Sequence, residues 1–287
     1  MKKRIIKLII CLFIISIFIF GFLYFENDTL QISNYVVSST KLPSDFNNFK
    51  ILQLSDLHSK EFGYENQKLI KKIDNEKPDI IVMTGDMLNT SDDKYDVFLN
   101  LSKKLAQKYK VYYVVGNHEE IVNPFRIMEE LKNIGVTVLD NEKVKIKRGK
   151  SFIYLYGMWF RVIYYKNENN SEEKNIFYDL DTMQKAVGVS DPNAYNILLT
   201  HNPIYFATYS KWGADLTLSG HMHGGIIRIP FKGGVLSPER TLFPKYDAGR
   251  FNLGGKIMIV NRGLGNETII PRIFNRPEIT IITLENK

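Results

Sequence analysis

An uncharged run of 18 residues, LIICLFIISIFIFGFLYF from Leu8 to Phe25, limits more than any other feature what this chain can fold into. A helix that is apolar on every side has no polar face to turn toward water. Its length sits at the lower edge of what crosses a hydrocarbon layer roughly 30 Å thick. A cleaved leader would carry a shorter apolar stretch and a small-residue exit, whereas this run ends on bulky Phe22-Leu23-Tyr24-Phe25. The expectation is an uncleaved, single-pass membrane helix, with a cleaved signal as the alternative. Lys2, Lys3, Arg4 and Lys7 precede the run, and Glu26 and Asp28 follow it. By the positive-inside bias this places the N-terminus in the cytoplasm and the rest of the chain outside the cell membrane.

The same four cations change how the overall charge reads. The 287 residues carry 38 basic and 31 acidic side chains, a formal +7. With the tip set aside, 34 basic residues face 31 acidic ones, a balance of +3. That is no nucleic-acid footprint. The single cysteine, Cys11, lies inside the apolar run, so intramolecular disulfides and cysteine-based metal knots are excluded. A hydrophobic share of 44% with 24% charged residues describes a globular chain rather than a disordered one.

Beyond the run the expected organisation is 1–25 as tip plus membrane helix, 26–48 as linker and first strand, and 49–287 as the main domain. Residues 30–39 alternate loosely as a strand. Short β-rich runs at 50–55, 79–84 and 111–115 are then separated by helical patterns at 66–75, 94–108 and 124–133, with Pro124 well placed at a helix start. A β-α-β-α-β order implies parallel strands with crossover helices. Strands at 144–146 and 152–156 read as a meander, 166–174 as a polar surface insertion, and 196–199, 216–219 and 278–284 as further strands. The fold class is α/β, a sandwich-like domain behind one transmembrane helix.

All five histidines fall at or just after these β-like runs. The blocks read Asp56-Leu57-His58, Gly85-Asp86, Gly116-Asn117-His118-Glu119, Thr200-His201 and Gly220-His221-Met222-His223-Gly224. Strand ends of an open α/β sheet face a common crevice, and residues two apart on an extended segment share a side. Imidazole, carboxylate and amide donors together suit zinc, manganese, iron or related divalent ions. Eight such groups exceed the needs of one ion. Two ions sharing a carboxylate would use seven and leave one histidine for chemistry; spacing does not say which. Paired metals of this kind activate water and clamp a phosphoryl group.

The ordered set D-x-H, G-D, G-N-H-E, H and G-H-x-H resembles the calcineurin-like metallophosphoesterase superfamily, whose fold is a β-sandwich flanked by helices. The tail resembles its bacterial membrane-associated branch, related to UDP-diacylglucosamine hydrolases, through Gly220-His-Met-His-Gly-Gly225, Phe243-Pro-Lys-Tyr246, Arg262-Gly-Leu-Gly-Asn266 and Asn275-Arg-Pro-Glu278. The resemblance implies Asp56, His58 and His223 on a first metal, Asn117, His201 and His221 on a second, and Asp86 bridging. It leaves His118 as the acid facing the leaving group, with a bridging hydroxide attacking phosphorus directly. Met222 stands where threonine is common, and its side chain should point away from the metals.

Lys245 and Arg262, in late Gly/Pro-rich loops, are candidates for phosphate contact, against the plainer reading of solvated cations. Trp159, Phe160 and Tyr164–Tyr165 are candidates for an apolar lip, against core packing. The expected function is a phosphodiesterase or pyrophosphatase acting on a lipid- or wall-related phosphate outside the cell. A phosphomonoesterase, a non-catalytic metal-binding scaffold and a nuclease are the alternatives. The partners are then a phosphoester substrate and the membrane, not nucleic acid, and no pattern specifies an oligomeric state.

Overall fold

A computed structural model describes all residues except 1, 93, 94, 160, 162–177 and 267. The expected insertion at 166–174 and the aromatics Phe160, Tyr164 and Tyr165 lie outside the described residues. Helix α1 (Lys2–Asp28) carries the apolar run, long enough at 27 residues to cross a membrane. Its apolar side chains pack against almost nothing: most of them from Ile5 to Phe25 are exposed.

After α1 come β1 (Gln31–Ser39), β2 (Phe49–Leu54), α2 (Gln67–Glu76), β3 (Ile80–Met83), α3 (Asp96–Ala106) and β4 (Lys110–Tyr113). They are followed by α4 (Asn117–Val122), α5 (Pro124–Asn133), β5 (Thr137–Val138), β6 (Glu142–Arg148), β7 (Ser151–Met158) and α6 (Leu180–Val187). The chain continues with β8 (Asn196–Thr200), α7 (Phe206–Trp212), β9 (Leu216–Ser219), β10 (Arg228–Ile229) and β11 (Gly233–Gly234). It closes with β12 (Gly249–Leu253), β13 (Lys256–Val260) and β14 (Glu278–Asn286).

Two six-stranded sheets result, ordered β1-β14-β2-β3-β4-β5 and β12-β13-β9-β8-β7-β6. The run from β2 to β5 is parallel, as its alternation with helices requires. β14, from the far end of the chain, pairs parallel with β1 and antiparallel with β2.

The strands are apolar on both faces because each sheet is covered twice. Ile51, Val82 and Val114 meet Leu155, Ile197, Leu199 and Leu218 between the sheets. The alternate residues Leu52, Ile81 and Met83 pack outward on Leu69, Ile73, Phe98, Leu101 and Leu131 of α2, α3 and α5. On the other outer face Tyr156 and Leu198 take Met183, Tyr209 and Trp212 from α6 and α7. The architecture is thus a helix–sheet–sheet–helix sandwich, as expected. The elements that sequence reading passed over include α4, α6, α7, the two-residue strands β5, β10 and β11, and the β12–β13 hairpin, the last hidden in a Gly-rich tail.

Candidate metal centre

The carboxyl ends of β2, β3, β4, β8 and β9 converge on one side of the sandwich. Each strand is followed at once by its donor residue: Asp56 and His58 after β2, Asp86 after β3, Asn117 and His118 after β4, His201 after β8, His221 and His223 after β9. The seven Asp and His donors among them are buried. Asp56, His58, Asp86, His221 and His223 have φ between 46° and 70°, in the left-handed region. Asp and His enter that region more readily than most residues, but five in one site is stored strain, a pattern of functional loops.

Donor atoms fall into three groups, each within 4.8 Å: Asp56 with His58 and His223; Asp86 with His201 and His221; and His58 with Asp86 and His118. Nε2 atoms of His58 and His223 are 3.0 Å apart, and His223 Nε2 is 3.4 Å from Asp56 Oδ1. His201 Nε2 lies 3.0 Å from Asp86 Oδ2 and 4.0 Å from Asp56 Oδ1.

Several observations show that these residues fit divalent cations. His201 Nδ1 donates to the Thr84 carbonyl at 2.6 Å, so Nε2 is the ring nitrogen turned toward the Asp86 carboxylate, 3.0 Å away. A positive charge belongs between the two, either the ring's own proton or a metal ion that replaces it. Asn89 Nδ2 donates to the His58 carbonyl and its oxygen sits 3.0 Å from His58 Nδ1, which leaves His58 Nε2 to face His223. Asn117 Oδ1 is buried without a hydrogen-bond partner. Carbonyl and carboxamide partners on the far ring nitrogen are the usual way of aiming a metal-binding imidazole.

Electrostatics agree. Burial raises the Asp56 carboxyl, and the neighbouring Asp86 charge adds to that, against relief from His201 and His58. Burial works against the Asp86 anion too, yet His201, His118 and His58 hold it well below the usual carboxylate range. Burial opposes the His201 cation, but Asp86, Asp56 and the Thr84 carbonyl push it up to about 10. Burial and Asp86 raise Glu119. Three fully buried carboxyl groups call for positive charge among them.

Two glycines have no alternative. A Cβ on Gly220 would lie 1.9 Å from Ser55 Oγ and 2.3 Å from Asp56 Oδ2; one on Gly116 would lie 2.2 Å from Asp86 Oδ1.

Sequence reading missed the residues that hold the donors. Glu119, third residue of α4, accepts from the backbone N–H of Asp86 (2.9 Å), Met87 (2.6 Å) and Gly116 (2.9 Å), fixing two donor loops at once. Its signal was present in the G-N-H-E block. Glu239 pairs with His221 Nε2 and sits in an undistinguished loop. Arg272 is fully buried; its guanidinium donates to the carbonyls of Gly265, Arg262 and Asn275 and stands 3.4 Å from His223 Nδ1. Asn275 Nδ2 donates to the carbonyls of His223 and Ile226. This 272–275 segment is itself clasped by the end of α1: Arg272 N donates to Asn27 Oδ1 at 2.9 Å and Asn275 N to Glu26 Oε2 at 2.8 Å.

Of the two candidate phosphate cations, Arg262 is committed elsewhere. Its Nη2 is 3.0 Å from Glu278 Oε1 and its backbone N donates to the same carboxylate, so it joins the β13 exit to β14 instead of standing open. Lys245 is exposed, with its ammonium 5.0 Å from the Tyr246 ring, and it lines a cavity of about 330 Å³ that also touches Met222 and Glu239. Trp159 is buried and donates its indole N–H to Glu120 at 2.9 Å, the packing role weighed against a lip. Met222 packs with Phe206, Met258 and Val260, away from the donors.

The sequence model of the family described as calcineurin-like phosphoesterase matches residues 49–225. An uncharacterized metallophosphoesterase of Bacillus subtilis, YkuE, is 29% identical over 270 residues, covering 92% of this chain and 88% of its own. Phosphodiesterase YaeI of Escherichia coli is 29% identical over 244 residues, 82% of each chain. A bovine transmembrane protein with a metallophosphoesterase domain is 26% identical over 264 residues, 85% of this chain and 55% of its own. Among solved structures, TT1561 of Thermus thermophilus aligns with a TM-score of 0.49 at 13% identity, covering 75% of this chain and 89% of its own.

Proposed function

This chain belongs to the calcineurin-like phosphoesterase family and is a metal-dependent phosphoester hydrolase, and from that premise we propose that it cleaves a phosphodiester or pyrophosphate on a lipid- or wall-related substrate outside the cell membrane. The observation that carries the reading is the meeting of seven donors with one further histidine at the strand ends. In this reading Asp56, His58 and His223 hold one divalent ion, Asn117, His201 and His221 a second, and Asp86 stands between. Such a pair, when bound, supplies Lewis acidity at the phosphoryl oxygens and an activated water.

The chain's own work is positioning and proton transfer. The backbone N–H of His118 donates to Asp86 Oδ1 at 2.9 Å, which ties the acid to the bridging carboxylate. The Thr90 N–H lies 3.2 Å from His118 Nδ1, which leaves Nε2 as the ring nitrogen to carry a proton toward the site. From there it can donate a proton to a departing alkoxide or phosphate oxygen, or stabilise the charge on it by a hydrogen bond. Glu119 keeps the Asp86 and Gly116 loops in register while this happens. In this reading Lys245, exposed and lining a cavity with Glu239, meets a substrate phosphate. Export of the domain is supported by the basic tip before α1 and the acids after it. The metals are manganese, zinc or iron in this reading.

The test uses the full chain purified in detergent and loaded with manganese or zinc. Two metals per chain and cleavage of bis-p-nitrophenyl phosphate faster than of p-nitrophenyl phosphate are expected. His118→Asn is expected to keep both metals and lose about 10²–10⁴-fold in turnover. Two bound metals with no diester cleavage would overturn the reading.

A further inference from the structure

Several loops that follow β9 are apolar at their tips. Phe231 and Ile269 are wholly exposed, at 108% and 102% of their reference areas, and Leu242, Phe243 and Phe274 are more than half exposed. Phe231, Phe243 and Phe274 each hold a left-handed backbone, at φ 66°, 51° and 52°. Bulky residues avoid that conformation unless something requires it. They come from three separate loops, yet they rim one open depression of about 580 Å³ together with Arg228, Lys232 and Lys245. Asp247 is the carboxylate in that lining, and it is paired with Arg228 at 3.0 Å. Exposed aromatics around an excess of cations are not what a soluble surface needs.

Their position relative to α1 decides the partner. The Phe274 ring packs edge-on against Phe22, 5.6 Å between centroids, and the Arg276 guanidinium lies 4.9 Å from the Phe25 ring. Phe22 precedes Glu26 by four residues, about 6 Å along a helix. With α1 across a membrane, Phe274 is therefore held at the depth where Phe22 leaves the hydrocarbon. A second cavity, of about 240 Å³, runs from His223 past Leu236 and Arg240 to Ile270, next to the exposed Ile269. One metal-site histidine thus shares a cavity with Thr268 and Ile270, the neighbours of Ile269.

We propose that this rim is an interfacial docking surface for the anionic leaflet that α1 crosses. Phe231, Phe243, Ile269 and Phe274 enter the headgroup zone, and Lys232 and Lys245 meet lipid phosphates. The site then receives its phosphoester from the plane of the bilayer, as part of a lipid headgroup. This rests on the phosphoesterase reading for the reaction and on the helix for the location. Basic and aromatic residues together are the chemistry of such surfaces.

The test is depth-dependent quenching. The full chain, carrying Phe231→Trp or Ile269→Trp, is reconstituted into vesicles of equal parts phosphatidylglycerol and brominated phosphatidylcholine. Leu12→Trp is the spanning reference. Val189→Trp is the exposed control, since Val189 precedes β8 and so lies at the strand end opposite His201. Unsubstituted protein, with Trp159 and Trp212, sets the baseline. The expected result is a blue shift and loss of emission at 231 and 269, as at 12, with neither at 189. Emission at 231 and 269 like that at 189, while 12 is quenched, would overturn the proposal. Cleavage of bis-p-nitrophenyl phosphate by the same samples separates the two readings: quenching without cleavage sinks the enzyme reading alone, and cleavage without quenching sinks the docking surface alone.

Discussion

Glu119 shows how much of this site is made by a residue that need never touch substrate. Its two oxygens take three backbone N–H groups from two loops, so replacing it removes acceptors that buried donors have no other way to find. Glu119→Gln keeps the shape and turns an amide N–H toward at least one of those donors. The expected outcome is a loss of about 2–3 kcal/mol in denaturant unfolding, with metal affinity weakened about 10–100-fold in a chelator competition titration. Gly220→Ala attacks the same centre from another side. The added methyl would overlap Ser55 and Asp56, so Asp56 must move. Loss of one of the two metals by elemental analysis, with the second retained, is the expected result. The donors themselves were readable because their residue types and glycine spacing are rare together. Glu239 and Arg272 were not, since a buried carboxylate or guanidinium in a loop looks like any surface charge until the fold closes over it; Asn275 stood in a recognisable tail block, but its bond to the His223 carbonyl did not show there.

Strand β14 has the largest structural role of any single element. It lies between β1 and β2, pairing along nine positions with the first and five with the second. Ile281 faces the helix layer while Ile282 and Leu284 face the opposite sheet. Ile282→Ala should cost about 2–5 kcal/mol, read as a lower denaturant midpoint with an unchanged slope. The strand itself was legible from its β-branched run Glu278–Leu284, but its partners were not. Pairing with β1 joins residues 247 positions apart, and nothing local encodes that register. The parallel core was legible because alternating strand and helix patterns leave few topologies. Helices α6 and α7 were passed over because each is short and flanked by polar or proline-rich sequence, and tertiary burial of Met183, Tyr209 and Trp212 makes them helices more than propensity does.

At the scale of the whole molecule, three buried carboxyl groups sit in a cluster that only cations neutralise well. Chelation is therefore expected to lower the melting temperature. Ions bound at about a hundred times their dissociation constant contribute about 2.7 kcal/mol, and differential scanning with and without chelator reads the shift. The clasp between Glu26, Asn27 and the 272–275 segment has a practical outcome for anyone preparing this protein. Trimming the chain to a water-soluble fragment that starts at residue 29 discards the only side chains at that junction reaching Arg272 and Asn275 from the N-terminal side among the described residues. Such a fragment would still fold its sheets, but the backbone behind His223 would be loosened, and assays on it would understate the native enzyme.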